Sequence, residues 1–181
     1  MPQSRTALTD PGWKTAIRDV PDFPKKGIVF KDITPLLKDG RLFRAAVDAI
    51  ADRFAKRGVT TVVGIEARGF IIAPAVAVRL GVGFVPVRKP GKLPWKSAKK
   101  TYALEYGTDA IEIHTDAAKK GDRVLLVDDV LATGGTMAAC IELVESLGAE
   151  VAGCAFLIEL DFLKGREKLK AREIVALVHY D

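Results

Sequence analysis

The chain has 181 residues, 28 Lys and Arg against 23 Asp and Glu, a formal net charge of +5 and 49% hydrophobic residues. That size predicts one domain whose core covers about two-thirds of the unfolded surface, and it excludes intrinsic disorder. No stretch approaches the ~18 to 20 uninterrupted apolar residues of a membrane helix, and the start lacks a signal-peptide core, so a cytoplasmic protein with no membrane partner is expected. Cys140 and Cys154 lie in apolar surroundings without a CxxC motif or clustered His, and they read as a reduced, buried pair. The basic balance raises nucleic acid as a partner. Six of the cations, however, crowd into one acid-free segment, Arg88, Lys89, Lys92, Lys96, Lys99 and Lys100, which alone exceeds the net charge.

A first helix is predicted to open at Asp10-Pro11-Gly12, where a capping Asp precedes a Pro whose missing N–H costs nothing in the first turn. It should end before Pro21. From Val20 to Leu37 the breakers Pro21, Pro24, Gly27 and Pro35 argue against a regular element, yet Phe23, Ile28, Val29, Phe30 and Ile33 make the segment apolar, as a lid or floor would be. After Asp39, Leu42, Phe43, Ala46, Val47, Ile50 and Phe54 fall on one helical face, and Gly58 marks the stop. The β-branched run Thr60 to Ile65 fits a strand buried on both faces and ends in Glu66-Ala67-Arg68-Gly69. A helix from about Phe70 to Leu80 and a strand from about Gly83 to Arg88 follow, an alternation that favours a parallel sheet. Tyr102 to Tyr106 and Ala110 to His114 read as a hairpin around Gly107-Thr108-Asp109. The alternation resumes with a strand at Arg123 to Val127, a helix at about Gly135 to Leu147 and a strand at about Glu150 to Ile158. A short turn or helix at Lys164 to Leu169 and a strand at Ile174 to Val178 complete it. The class is α/β, a mostly parallel sheet flanked by helices. The two histidines, His114 and His179, end predicted strands and read as edge or surface positions.

The chemistry concentrates between Val124 and Thr136. Four apolar residues, Val124 to Val127, place a strand in the core, and Asp128 and Asp129 emerge at its C-terminal edge, where ligands bind in open α/β sheets. Ala132 to Thr136 then form a small-residue loop into a helix, whose backbone N–H groups and dipole can hold a phosphate, with hydroxyls from Thr133 and Thr136. The pattern predicts a sugar-phosphate site: carboxylates on hydroxyls or a hydrated Mg²⁺, amides on a monoester phosphate. A Walker B reading of the Asp pair lacks its partner, because GxxxxGK[ST] occurs nowhere in the chain.

The same stretch resembles the phosphoribosyl-pyrophosphate (PRPP) signature of type I phosphoribosyltransferases. Further segments narrow the resemblance to the adenine phosphoribosyltransferases: Asp22-Phe23-Pro24 with Gly27 to Leu37, Glu66-Ala67-Arg68-Gly69-Phe70, Arg88 to Pro94, Tyr102-Ala103-Leu104-Glu105-Tyr106-Gly107 and Leu163 to Leu169. The resemblance implies a single domain of that fold over residues 1–181, with an N-terminal hood at about 20–37 and a flexible flap hairpin at about 89–114. It implies a Mg²⁺-dependent purine-salvage step, adenine and PRPP to AMP and pyrophosphate, usually by a cytoplasmic homodimer.

Residue by residue, the resemblance sets Asp128 and Asp129 against the ribose hydroxyls, with Mg²⁺ held nearby mainly through substrate and water. Ala132, Thr133, Gly134, Gly135 and Thr136 take the 5′-phosphate. Arg68, with the peptide around Ala67, meets pyrophosphate and joins Glu105, the acid–base candidate, as a catalytic residue. Arg88, Lys89 and Lys92 resemble pyrophosphate ligands, some reaching the neighbouring subunit's site. Val29 and Lys31 match the hood that reads adenine through backbone groups, Phe30 and Leu160 resemble residues around the base, and Tyr106 joins the substrate-binding set. Two segments depart from the family pattern: Lys25-Lys26-Gly27 replaces a more usual Pro before the Gly, and Lys96 to Lys100 is more basic.

Elementary chemistry agrees with these roles. Displacing pyrophosphate from a ribosyl carbon builds positive charge on the sugar and negative charge on the leaving group, so cations must meet the diphosphate and water must be kept from the sugar. A phosphoribosyltransferase for another base is the nearest rival, and the hood and the Leu104 to Gly107 loop argue against it. A DNA-binding regulator on the same fold would need an added module of roughly 60 to 70 residues, for which this length is expected to leave no room.

Overall fold

The computed structural model describes residues 9–103, 107–169 and 172–181. A single helical turn, α1 (Trp13–Ala16), leads into the antiparallel pair β1 (Arg18–Pro21) and β2 (Val29–Asp32), then α2 (Thr34–Lys38) and α3 (Gly40–Phe54). Next come β3 (Thr61–Ile65), α4 (Gly69–Leu80), β4 (Gly83–Val87) and the hairpin β5 (Ser97–Ala103) and β6 (Thr108–His114). The chain continues through β7 (Arg123–Leu131), α5 (Gly135–Ser146), β8 (Glu150–Leu160), two 3₁₀ turns (Asp161–Leu163 and Gly165–Leu169) and β9 (Ile174–Tyr180). The central sheet has the order β4-β3-β7-β8-β9, and every pairing in it is parallel. This is the expected α/β architecture.

Strand periodicity divides the interior. Along β7, Leu125 and Val127 enter one core with α1 to α4, while Val124 and Leu126 enter the other with α5 and β6. Both sheet faces are therefore covered, which is why the strands read as continuous apolar runs. The α3 helix behaves as its spacing predicts: Leu42, Ala46, Val47, Ile50 and Phe54 are buried, and Asp39 caps it by accepting from the amides of Arg41 at 2.9 Å and Leu42 at 3.0 Å. Cys140 and Cys154 are free and buried, and desolvation pushes the Cys154 thiol up to about 12.

Several elements differ from expectation. The first helix ends at Ala16 rather than near Pro21, because Arg18–Pro21 pairs with Val29–Asp32 and gains cross-strand ion pairs, Arg18 with Asp32 and Lys31 with Asp19, each at 2.7 Å. The breakers of that segment sit where a missing N–H does no harm: Pro21 ends an edge strand and Pro35 lies in the first turn of α2. The hairpin starts at Ser97, five residues earlier than the periodicity indicates, and Ile111 and Ile113 of β6 anchor it in the second core beside Val87. Strands β7 and β8 run on to Leu131 and Leu160, because their ladder continues to Leu131↔Glu159. Asp128 and Asp129 thus belong to the strand itself.

Asp39→Ala is expected to cost about 1 kcal/mol, lowering Tm by about 2–4 °C for a chain of this size. A thermal melt checks it; an unchanged Tm would mean that the cap contributes nothing.

Candidate active site

The loops that leave β3 and β7 meet at a cavity of about 290 Å³. Its position follows from the strand order. From β3 the chain crosses through α4 to β4 on one side, and from β7 through α5 to β8 on the other, so the two adjacent strand ends diverge and a crevice opens between them. Glu66, Ala67 and Arg68 come from the first loop, Asp128 to Leu131 from the end of β7, Ala132 to Met137 from the loop and helix after it, and Lys89, Tyr102 and Asp109 complete the wall.

Asp129 is 5% exposed, and Arg68 Nε donates to its Oδ2 across a sequence separation of 61 residues. The Asp129 amide donates to Asp128 Oδ1 at 2.9 Å. Gly69 makes room here: a Cβ at that position would stand 3.0 Å from Asp128 Oδ1. Burial, reinforced by the Asp129 charge, pushes the Asp128 carboxyl well above the usual carboxylate range, and the Arg68 cation offsets only part of this.

Gly134 has φ 77 and precedes α5, whose first residues, Gly135, Thr136 and Met137, line the cavity. First-turn amides without intrahelical partners and the positive end of the dipole make this wall an anion site. Thr136 Oγ1 donates to the Tyr102 hydroxyl at 3.1 Å, which donates to Asp109 Oδ2 at 3.1 Å, and Asp109 also accepts from Lys89 Nζ. Partial burial draws the Lys89 ammonium down, but the bond to Asp109, together with the influence of Tyr102 and the Asp109 charge, outweighs it and leaves Lys89 raised. The Lys89 bond in turn holds Asp109 below its ordinary value. Glu66 accepts from the Lys89 amide at 3.0 Å and from Arg88 Nε at 3.2 Å, and these bonds, the amide foremost, keep its carboxyl low.

Of the predicted residues, Arg68, Lys89, Asp128, Asp129, Ala132, Thr133, Gly134, Gly135 and Thr136 share this one cavity. Arg88 and Lys92 do not line it: Arg88 bonds to Glu66, and the exposed Lys92 meets Arg88 through its backbone carbonyl, which accepts from Arg88 Nη1 at 3.2 Å. The basic segment does not converge as a block: Lys100 pairs with Glu142, and Lys96 and Lys99 are exposed. In the hood, the Phe30 ring lies 5.0 Å from the Arg68 guanidinium and 5.2 Å edge-on from Phe23, so Phe30 joins the hood to the β3 loop. Val29 is exposed, Lys31 turns its ammonium to Asp19 and the Tyr180 ring, and Leu160 packs against the first core. Glu105 and Tyr106 lie outside the described residues.

Glu66, Tyr102 and Asp109 also line the cavity and were not among the expected site residues. Glu66 had a signal, its place directly after a buried strand. Asp109 had none, since an Asp in a predicted turn reads as a turn former.

An acid whose pKa is raised on folding binds its proton more tightly in the folded chain, so its contribution to stability is present below the ordinary carboxylate range and is lost as pH rises toward the raised value. Asp128→Asn keeps the acceptor for the Asp129 amide and removes that charge. Thermal melts should therefore show the variant more stable than the parent at about pH 8, with the gain shrinking toward about pH 4. A variant less stable than the parent at the higher pH contradicts the buried-charge assignment.

Comparison with known proteins is consistent with this geometry. The family model for the phosphoribosyl transferase domain matches residues 33–177. An adenine phosphoribosyltransferase from Syntrophotalea carbinolica is 58% identical over 167 residues, covering 92% of this chain and 98% of the relative. The crystal structure of the adenine phosphoribosyltransferase from Thermoanaerobacter pseudethanolicus superposes with a TM-score of 0.90 at 53% identity, covering 93% of this chain and 98% of that one. The enzyme from Saccharomyces cerevisiae, solved in complex with adenine and an imino-altritol bisphosphate, gives a TM-score of 0.86 at 46% identity over 91% of this chain and 96% of that one. With a sequence match over nearly the whole chain, a shared fold and a cavity built from the signature residues, the chain belongs to the phosphoribosyl transferase family, among its adenine phosphoribosyltransferases.

Proposed function

We propose that this chain, as a single phosphoribosyltransferase domain, performs the adenine phosphoribosyltransferase reaction in the cavity between β3 and β7: adenine displaces pyrophosphate from PRPP and AMP is formed. The observation that carries the reading is the convergence of three groups on one cavity, the Asp128–Asp129 strand end, the anion-binding start of α5 and Arg68. Each matches one part of PRPP. The amides and hydroxyls of Ala132 to Thr136 suit a 5′-phosphate monoester, the two carboxylates accept from ribose hydroxyls, and Arg68 and Lys89 face the diphosphate.

As the bond from C1′ to the leaving oxygen lengthens, charge grows at both ends. Arg68, held in place by Asp129 and stacked near Phe30, meets the departing pyrophosphate, and Lys89 is within the same wall. Arg88 and Lys92, on the Glu66 side, extend that positive surface. Asp128 and Asp129 orient the ribose, and Asp129 sets its charge against the oxocarbenium-like carbon. The hood strand β2, with Val29 and Phe30, and Leu160 at the end of β8 are assigned to adenine. On the family resemblance alone, Glu105 takes the N9 proton of the base and Tyr106 contacts substrate; both lie outside the described residues.

Magnesium fits this site. It favours one or two carboxylates together with substrate phosphates and water over an all-protein cage, and at the ribose end the cavity offers Asp128 and Asp129, the latter already accepting from Arg68 through Oδ2, while Glu66 and Asp109 are occupied by Arg88 and Lys89. When bound with PRPP it would neutralise part of the leaving diphosphate. One group of three side chains close enough to share a cation, Glu159, Asp161 and His179, lies outside the cavity, and both Glu159 oxygens already accept from Arg166.

A homodimer completes the proposal. Beside its buried stripe, α4 presents a second apolar row, Ile71, Pro74, Ala75 and Val78, of which Val78 is 81% exposed. Residues at this spacing share one helix face, and an exposed apolar face of this kind marks a contact surface. Cytoplasmic placement is supported by two buried free thiols, which fit a reducing compartment.

With PRPP, Mg²⁺ and each nucleobase in turn, AMP from adenine is the expected product, and its absence would overturn the reading. Asp128→Asn combined with Asp129→Asn should lower PRPP turnover by about a hundredfold or more with the fold retained; near-parental turnover would mean that the ribose site is elsewhere. Sedimentation should show a dimer that Val78→Glu converts to monomer, and an unchanged association state would remove α4 from the interface.

A further inference from the structure

The 3₁₀ turn Gly165–Leu169 lies against the Ala132–Thr136 loop, and none of its residues lines the cavity. The two backbones touch with no side chain between them. A Cβ on Gly165 would fall well inside contact distance of the Ala132 carbonyl oxygen and 3.0 Å from the Gly134 nitrogen, and a Cβ on Gly134 would collide with the Gly165 carbonyl. Gly165 is not among the glycines with positive φ, so it is there for room rather than for backbone freedom.

The turn is clamped at both ends. Leu169 is buried in the second core with Met137 and Ala139 of α5. Next to Gly165, the Arg166 guanidinium donates from Nε and Nη2 to the two oxygens of Glu159, and from Nη1 to the Ile174 carbonyl at 3.3 Å. Glu159 is 3% exposed and stands in register with Leu131, the last residue of β7 before the loop. A two-pronged ion pair on a buried carboxylate has fixed geometry as well as charge. Neither Glu159 nor Arg166 lines the cavity.

We propose that the Glu159–Arg166 pair and the Gly165 backbone form a rear wall that fixes the Ala132–Thr136 loop, and so set the affinity for the 5′-phosphate without touching it. The inference rests on the assignment of that loop to the 5′-phosphate. Glu159 and Arg166 are positioning residues: a loop whose amides must converge on one phosphate loses binding when its backbone is pushed forward by a fraction of an ångström.

Steady-state kinetics on the full chain separate this from a merely structural role. Gly165→Ala should raise KM for PRPP by about tenfold to a hundredfold while KM for adenine stays within about twofold. Arg166→Lys keeps the charge on Glu159 but loses the fork, and it should raise KM for PRPP a few-fold with the melting temperature near that of the parent. If Gly165→Ala does not fold, Arg166→Lys decides. Parental KM for PRPP in the folded variants, or an equal rise in both KM values, overturns the rear wall. Thr136→Ala tests the underlying assignment separately: if it leaves KM for PRPP unchanged, the loop is not the phosphate site, whereas a rise there with no effect of Gly165→Ala or Arg166→Lys removes the rear wall alone.

Discussion

The parallel contact between β3 and β7 is the constraint on which the remaining structure depends. Both strands are buried on both faces, and their crossovers leave toward opposite sides of the sheet, α4 into the first core and α5 into the second. Two loops that are far apart in the chain are thereby forced to begin side by side and then part. That divergence opens the crevice, sets Arg68 on Asp129, and aims the first turn of α5 at the space between them. A doubly wound sheet without a strand-order reversal would have no such opening.

Within the crevice, charge is balanced locally. Arg68 holds Asp129, Lys89 holds Asp109, and Arg88 holds Glu66, so these cations already have carboxylate partners. Partly buried charges left alone would cost far more than they do in water, which is the physical reason for these pairs. Asp128 is the exception. It shares a strand end with a second carboxylate and lies deep enough for its charge to be disfavoured, a destabilised group kept where a polyhydroxylated ligand can satisfy it. The Thr136, Tyr102, Asp109 and Lys89 chain of contacts further ties the start of α5 to the hairpin and to the basic segment, so two walls of the cavity are mechanically joined.

The hood shows how local rules yield to pairing. Residues 20–37 carry four breakers, and by propensity alone no regular element belongs there. A hairpin forms nonetheless, because Pro21 and Pro35 occupy a strand end and a first helical turn, and because Arg18 and Asp32 meet across the strands. The same logic extends β5 back to Ser97: its own residues alternate poorly, but β6 offers a ladder already anchored by Ile111 and Ile113.

What the amino-acid order settled by itself is what short-range physics controls. The apolar run Val124 to Val127, the small-residue loop Ala132 to Thr136, the amphipathic spacing of α3 and the alternation of strands and helices are local patterns, and they were enough to place the class and to single out residues that line one cavity. The tertiary structure alone decided which carboxylate each cation meets, that Lys89 of the six clustered cations lines the cavity, that Asp109 lines it too, and that the Gly165 backbone touches the loop beside the Arg166–Glu159 pair. Those facts depend on contacts between residues brought together only by the sheet order and register, and no local spacing carries a trace of them.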